Sequence, residues 1–265
     1  MNLYLYGGDF MEKRFLTPME IANTIVNVNE KRGDLKSKTC FLLGIMAGIF
    51  IGLGGLGNII VTQTLGNIDL GLSRLAGAAV FPVGLMLVVI AGGELFTGNS
   101  LMTLAVAKNK TTKLKLLKNW SLVYIANFIG ALLLAILLYY SGILDGDSAT
   151  KALSIAQAKA SIPIQQLFIR GILCNIVVTL AVWMATGAQD IISKIFASWF
   201  PIMLFVLCGF EHSIANMFFI PMGMMLGANI SILDLIINLI FVTLGNLLGG
   251  AFFVPFIYYN AYLKK

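Results

Sequence analysis

Charge is scarce in this chain. Lys, Arg, Asp and Glu make up 11% of 265 residues, against roughly 25% in soluble domains. That shortage excludes an ordinary water-facing globular surface. Hydrophobic residues reach 58% and mean hydropathy is +0.90, so the chain reads as an integral membrane protein. Cysteine is also sparse. Cys40, Cys174 and Cys208 are scattered through apolar segments without metal-type spacing; they read as small packing residues, and neither a metal nor another cofactor is expected. Histidine occurs once, as His212. No nucleophile–base–acid set accompanies it, which argues against an enzyme. A secretory signal is not evident, because residues 1–15 carry Asp9 and Glu12 and lack a continuous apolar core. Residues 1–10 read as an appended leader or an early start, with Met11 the true one.

What is abundant is apolar length. A bilayer crossing takes about 20 apolar helical residues, and six candidates satisfy it: about 39–63, 75–107, 119–142, 162–187, 195–226 and 235–261. Polar stretches such as KNKTTKLKLLK and DGDSATK separate them. Residues 16–36 read as a short amphipathic helix lying on the membrane surface. This predicts a cytoplasmic segment over 1–37 and a six-helix domain over 38–265. Of the 18 Lys and Arg residues, 14 fall in segments that six crossings place on one side. The positive-inside rule makes that side cytoplasmic, with both termini in, in the cell membrane. The net charge of +6 is then topology and contact with membrane lipid, not a nucleic-acid footprint.

Two of the six candidates are too long for simple helices. Residues 75–107 and 195–226 would each run roughly 50 Å against a hydrocarbon core of about 30 Å. Both also carry a polar centre: Gly92-Gly-Glu94-Leu-Phe-Thr-Gly-Asn99 and Gly209-Phe-Glu211-His-Ser-Ile-Ala-Asn216. Each fits G-x-E-x-x-x-x-N, each follows a Phe-Pro pair, and NFIGA from Asn127 is echoed by NLLGG from Asn246. Three matches in order imply an internal duplication, with repeats about 38–142 and 160–263. Each repeat holds three crossings, so the second copy is inverted. Inverted repeats with interrupted helices are a recurring transporter plan, with the substrate site near the midplane.

The interruptions suggest a chemistry. A helix resuming after a break points free N–H groups and its positive dipole end into the membrane centre, a natural anion site. Thr97, Asn99 and Ser100 suit the cap of the half-helix running to about 107, and Ser213 that of the half-helix running to about 224. His212 lies in the same volume, and ionisable groups at such depth are usually functional. It titrates near pH 6.5 when unperturbed, within the physiological range. Glu94 and Glu211 read as braces for the loops, paired or hydrogen-bonded to freed amides, with Asn127 and Asn246 as partners. Lys159 and Arg170 sit on the cation-poor outer side, either solvated or forming an anion-attracting vestibule; Arg170 could equally pair with an acid or a neighbouring subunit.

GFEHSIANMFFIPMG, GGELFTGNS, NIVVTLAVWM and VTLGNLLGGAFF closely resemble the formate/nitrite transporter family, which includes formate, nitrite and hydrosulfide channels. The likeness runs from about residue 18 to the end. It implies an all-α membrane protein with an aquaporin-like protomer of six helices, the second and fifth broken, assembling as a homopentamer with one pore per subunit. By position it implies a central polar site of Thr97 and His212, with Glu211 and Asn246 holding the histidine. It further implies an outer constriction of Phe81 and Phe205, and an inner one of Leu85, Leu95, Phe96 and Val178. Lys159 and Asn175 would supply anion attraction and polar lining. Spacing alone does not select these apolar residues. Glu94 stands where many members have aspartate, and Pro82 lies in the outer half of the second crossing.

The expected function is passage of a small monovalent anion of a weak acid (formate, nitrite or hydrosulfide) with protons, pH-sensitive through the central histidine. The alternatives are a non-conducting anion-sensing membrane protein and a neutral-solute channel of the same fold.

Overall fold

The computed structural model describes residues 3–6, 9–12 and 15–264. Strands β1 (Leu3–Tyr6) and β2 (Asp9–Glu12) pair antiparallel with Leu3 opposite Glu12. This hairpin departs from the all-helical expectation; a Gly-Gly pair between two short apolar runs is its sequence signal. The expectation that Met11 is the true start falls on residues 1–14, whose side chains lie outside the described part. The other named elements are helical.

Helix α1 (Pro18–Gly33) begins where the sequence marks a start. Pro18 occupies the first turn, and the Thr17 amide donates to the Glu20 carboxylate at 2.7 Å. Its apolar stripe of Ile21, Ala22, Ile25 and Val26 is buried against Leu101, Leu104, Trp183 and Leu263. Protein therefore covers the face expected to lie on lipid. Tyr258 and Tyr262 pack on Trp183 with ring centroids at 4.3 and 6.3 Å, so α1 and the C-terminal tyrosines share one apolar cluster around Trp183.

Among the described residues, helix α2 (Ser37–Thr62) is the first of five helices long and apolar enough to cross a membrane; the others are Leu70–Gly92, Lys113–Ser141, Ile164–Gly187 and Ile232–Leu263. The second begins as α3 (Leu70–Val80), capped by Asp69, then passes Phe81-Pro82 into α4 (Val83–Met86) and a widened π turn at Leu87–Gly92. Residues 93–97 are not helical; a tight 3-10 turn at Gly98–Leu101 leads into α5 (Met102–Ala107). Helix α6 (Lys113–Ser141) returns and ends on Gly142 at φ 68°, the left-handed conformation glycine tolerates. The polar DGDSATK stretch, expected to be only a connection, opens helix α7 (Gly146–Ala160).

Helix α8 (Ile164–Gly187) leads to α9 (Ile191–Leu207). Residues 208–212 are non-helical, and α10 (Ser213–Met225) follows. The candidate at 195–226 is therefore two shorter apolar helices. Helix α11 (Ile232–Leu247) continues through a π turn at Leu248–Phe253, α12 (Val254–Tyr258) and a second π turn to Leu263.

Small residues set the packing. A side chain on Gly48 of α2 would collide with the Asn127 carbonyl of α6, and one on Gly245 of α11 with the Phe168 carbonyl of α8. Close backbone approach through small residues is how apolar helices associate in lipid. Helix α10 is buried along nearly its whole length, so the end of the second interruption, Glu211 and His212, lies inside the molecule.

Candidate functional site

Each interruption strips helical partners from buried backbone groups, and each is re-satisfied by side chains of neighbouring helices. Around the first, the Glu94 amide donates to the Leu43 carbonyl at 3.1 Å. Asn127 Nδ2 donates to the Gly44 and Glu94 carbonyls at 2.8 and 2.9 Å, and Asn127 Oδ1 accepts from the Phe96 amide at 3.0 Å. Around the second, the Glu211 amide donates to the Arg170 carbonyl at 3.3 Å. Asn246 Nδ2 donates to the Gly171 and Glu211 carbonyls at 2.8 and 3.0 Å, and its Oδ1 accepts from the Ser213 amide at 2.9 Å. The two sets correspond bond for bond.

The correspondence extends to the charges. Asn99 Nδ2 donates to Glu94 Oε2 at 2.7 Å and to Asn119 Oδ1 at 2.9 Å; Asn216 Nδ2 donates to Glu211 Oε2 and Asn238 Oδ1, both at 2.7 Å. Arg32 Nε lies 2.9 Å from Glu94 Oε1, and Lys159 Nζ lies 2.9 and 3.1 Å from the two Glu211 oxygens. A buried carboxylate left unpaired is very costly, so each interruption carries its own counter-charge. Each glutamate is thus bonded to the asparagine five residues on and paired with a cation, which for Glu211 is Lys159. Its ammonium is compensated, not a bare vestibular charge.

His212 is the last extended residue before α10, at φ −114° and ψ 116°. Its Nδ1 accepts from the Ala215 amide at 3.1 Å, so the imidazole itself caps the helix. Ser213, expected in that role, has a buried hydroxyl without a hydrogen-bond partner among the described residues. The other ring nitrogen, Nε2, lies 2.8 Å from Thr97 Oγ1 in the first interruption. Thr97 and His212 therefore meet, joining residues 115 positions apart. These are the ring's two hydrogen bonds; Asn246 acts on the backbone beside it, at the Glu211 carbonyl and the Ser213 amide, while the Glu211 carboxylate meets Lys159 and Asn216.

Two spaces lie beside this site, and His212 lines the smaller one. A cavity of about 740 Å³ is lined among others by Ile25, Arg32, Leu85, Val88, Leu95 and Lys194. Beyond it is a space of about 10 Å³ bounded by Ile51, Phe81, Leu85, Leu95, Val178, Ile202, Phe205 and His212, room for one water at most. Leu85 and Leu95 border both spaces, so they stand at the neck between them. Phe81 and Phe205 meet edge to face at 5.8 Å. The wide space ends in a waist that is apolar except for the imidazole.

Seven of the sequence candidates therefore converge on the waist: Phe81, Leu85, Leu95, Val178, Phe205 and His212 around it, with Thr97 on the ring. Phe96 faces elsewhere, with its ring between Trp120 and Tyr124. Asn175 is fully buried, and its amide donates to Ser100 Oγ at 3.1 Å and to the Asn246 carbonyl at 2.7 Å. Neither borders the two spaces. Sequence reasoning missed Arg32, Asn119 and Asn238 in the braces, and Ile51 and Ile202 at the waist. A signal was there. Arg32 and Lys159 are 127 positions apart, as are Ile51 and Val178, and as are Gly44 and Gly171; Leu85 and Ile202 share the 117-residue offset of Glu94 and Glu211.

A family model described as formate/nitrite transporter matches residues 19–260. The chain is 43% identical over 257 residues to the uncharacterized transporter YrhG of Bacillus subtilis (strain 168), covering 95% of each. It is 38% identical over 253 residues to the formate channel BtFdhC of Bacillus thuringiensis, covering 95% of this chain and 97% of that protein. Among solved structures, a pentameric formate channel with formate bound superimposes with a TM-score of 0.77 at 36% identity, over 86% of this chain and 98% of that one.

Proposed function

This chain belongs to the formate/nitrite transporter family, and on that premise we propose that it is a membrane channel for small monovalent anions of weak acids, formate foremost. Formate channels among its relatives support formate, and nitrite and hydrosulfide share its size and charge. We propose the matching topology as well: a segment over 1–37 on the cytoplasmic side, and a channel domain over 38–265 with inverted repeats at about 38–142 and 160–263. In that reading the interrupted segments are the second and fifth of six crossings, both termini are cytoplasmic, and the fold is aquaporin-like. The bond-for-bond match of the two braces supports the duplication. The pentameric relative supports a homopentamer with one pore per subunit.

The observation that carries the reading is the Thr97–His212 contact at 2.8 Å, placed at a waist of about 10 Å³. A bare anion cannot pass such a waist cheaply, because the low dielectric removes its hydration. The same ion carrying a proton loses that penalty. Lys194 lines the wide cavity on one side and draws the anion in, while Arg32, on the same wall, is paired with Glu94. Thr97 and His212 are the polar groups that meet it at the neck, where sharing a proton lets it cross as the neutral acid.

The test is stopped-flow flux in proteoliposomes, comparing formate, nitrite and hydrosulfide from about pH 5 to about pH 9, across the titration range of histidine. Flux that rises as pH falls, and that loses both rate and pH response in His212→Phe, is expected. Tight anion binding without flux would show a sensor instead of a channel, and an unchanged His212→Phe would remove the histidine from the mechanism.

A further inference from the structure

We propose that Tyr124 and Thr243 form a positioning contact for Thr97, acting across the boundary between the two halves of the chain. The proposal rests on the reading of Thr97 and His212 as the polar site of the pore.

The hydroxyls of Tyr124, in the middle of α6, and Thr243, in α11, lie 2.9 Å apart. The two residues are 119 positions apart, the offset that also relates Asn119 to Asn238 and Asn127 to Asn246. They are therefore equivalent positions of the duplicated unit. Two equivalent residues of a twofold arrangement touch only where the axis runs between them. Leu95 and His212 form another equivalent pair, at the 117-residue offset of the glutamates, and both border the waist. One axis thus connects the waist to the Tyr124–Thr243 pair.

Against Tyr124 lies Phe96. The Tyr124 ring stands edge-on to it, centroids 4.9 Å apart at 71°. Trp120, one turn earlier on the same face of α6, packs on it at 6.1 Å and 66°, and its Nε1 donates to the Asn99 carbonyl at 3.1 Å. Asn127, about one turn later, accepts from the Phe96 amide. One face of α6 therefore grips residues 96 and 99, on either side of Thr97, in a stretch where 93–97 are not helical. Tyr124 is the member of that grip tied to the other half of the molecule. A phenol in apolar surroundings needs such a partner. Without it the ring loses its fixed position, Phe96 follows, and Thr97 shifts against His212, where sub-ångström placement sets the rate.

The test is formate flux in proteoliposomes for Tyr124→Phe, Thr243→Val, Thr243→Ser and the Tyr124→Phe/Thr243→Val double variant. Either single loss should lower the maximal rate about fivefold, the weight of one neutral hydrogen bond, with the half-saturating concentration unchanged. The double variant should be no slower than the slower single, and Thr243→Ser should keep the wild-type rate. A merely structural contact would lower melting temperature without this split in the kinetics. Wild-type rates in both singles, or losses that multiply in the double variant, overturn the proposal. His212→Phe in the same series separates the two readings. If it is unaltered, the polar site itself is wrong; if it is slowed while Tyr124→Phe and Thr243→Val are not, the positioning role alone falls.

Discussion

Replacing Lys159 by methionine tests whether the second interruption is held by a charge pair. The ammonium touches both Glu211 oxygens, and the glutamate side chain is only 5% exposed, the lysine 17%. Methionine keeps much of the apolar stem but leaves the carboxylate with the Asn216 amide as its remaining side-chain donor among the described residues. Breaking a buried pair from one side costs about 3–5 kcal/mol; the partial exposure of the lysine places this case at about 3. For a chain of this size that is a fall in melting temperature of about 6–12 °C. Glu211→Gln should cost a similar amount, by leaving the lysine uncompensated. The double variant should recover much of the loss, because no buried charge remains and glutamine still accepts from Asn216. Unfolding of detergent-solubilised protein, followed by the fluorescence of its three tryptophans, reads all four proteins. Additive losses in the double variant would refute the pairing argument.

Thr97→Val keeps the shape of the side chain but removes the oxygen 2.8 Å from His212; formate flux should fall about tenfold, and stability by about 1–3 kcal/mol, because the buried imidazole N–H loses its partner. Gly250→Ala places a methyl against the Asn175 amide, pushing it off Ser100 and the Asn246 carbonyl. It should cost about 1–3 kcal/mol as an overpacked core does, and slow flux as well. Asp69→Ala removes the cap that accepts from the Leu72 amide at 2.6 Å. It should cost about 1 kcal/mol and leave transport at the wild-type level, since the cap sits at the end of α3 opposite Phe81.

The duplicated glutamates and asparagines were legible because their spacing is a covalent property of one segment. Glu94 and Asn99, like Glu211 and Asn216, are five residues apart, and any rearrangement of the rest preserves that. The counter-charges were harder to see. Arg32 sits on a helix outside the first crossing, and its equivalent Lys159 sits on α7, which looked like a polar connection. The offset between equivalent residues also drifts from 127 to 117 to 119, because the connections within the two halves differ in length. A single repeat period therefore fails. Phe96 shows another limit: position places it beside Thr97, but which way its ring turns is decided by Trp120 and Tyr124 on another helix. The capping residue was misjudged for a similar reason. Serine is the commoner cap by preference, yet the extended backbone at residue 212 makes the imidazole the side chain that can reach back to the Ala215 amide.

That cap has an electrical consequence. A neutral imidazole has one N–H and one bare nitrogen, and the Ala215 amide claims the bare one at Nδ1. The ring's proton is then confined to Nε2, pointing at Thr97, and the threonine oxygen is already receiving a donor. Its own hydroxyl hydrogen must turn outward. The end of a helix thus dictates the direction of a dipole two side chains away.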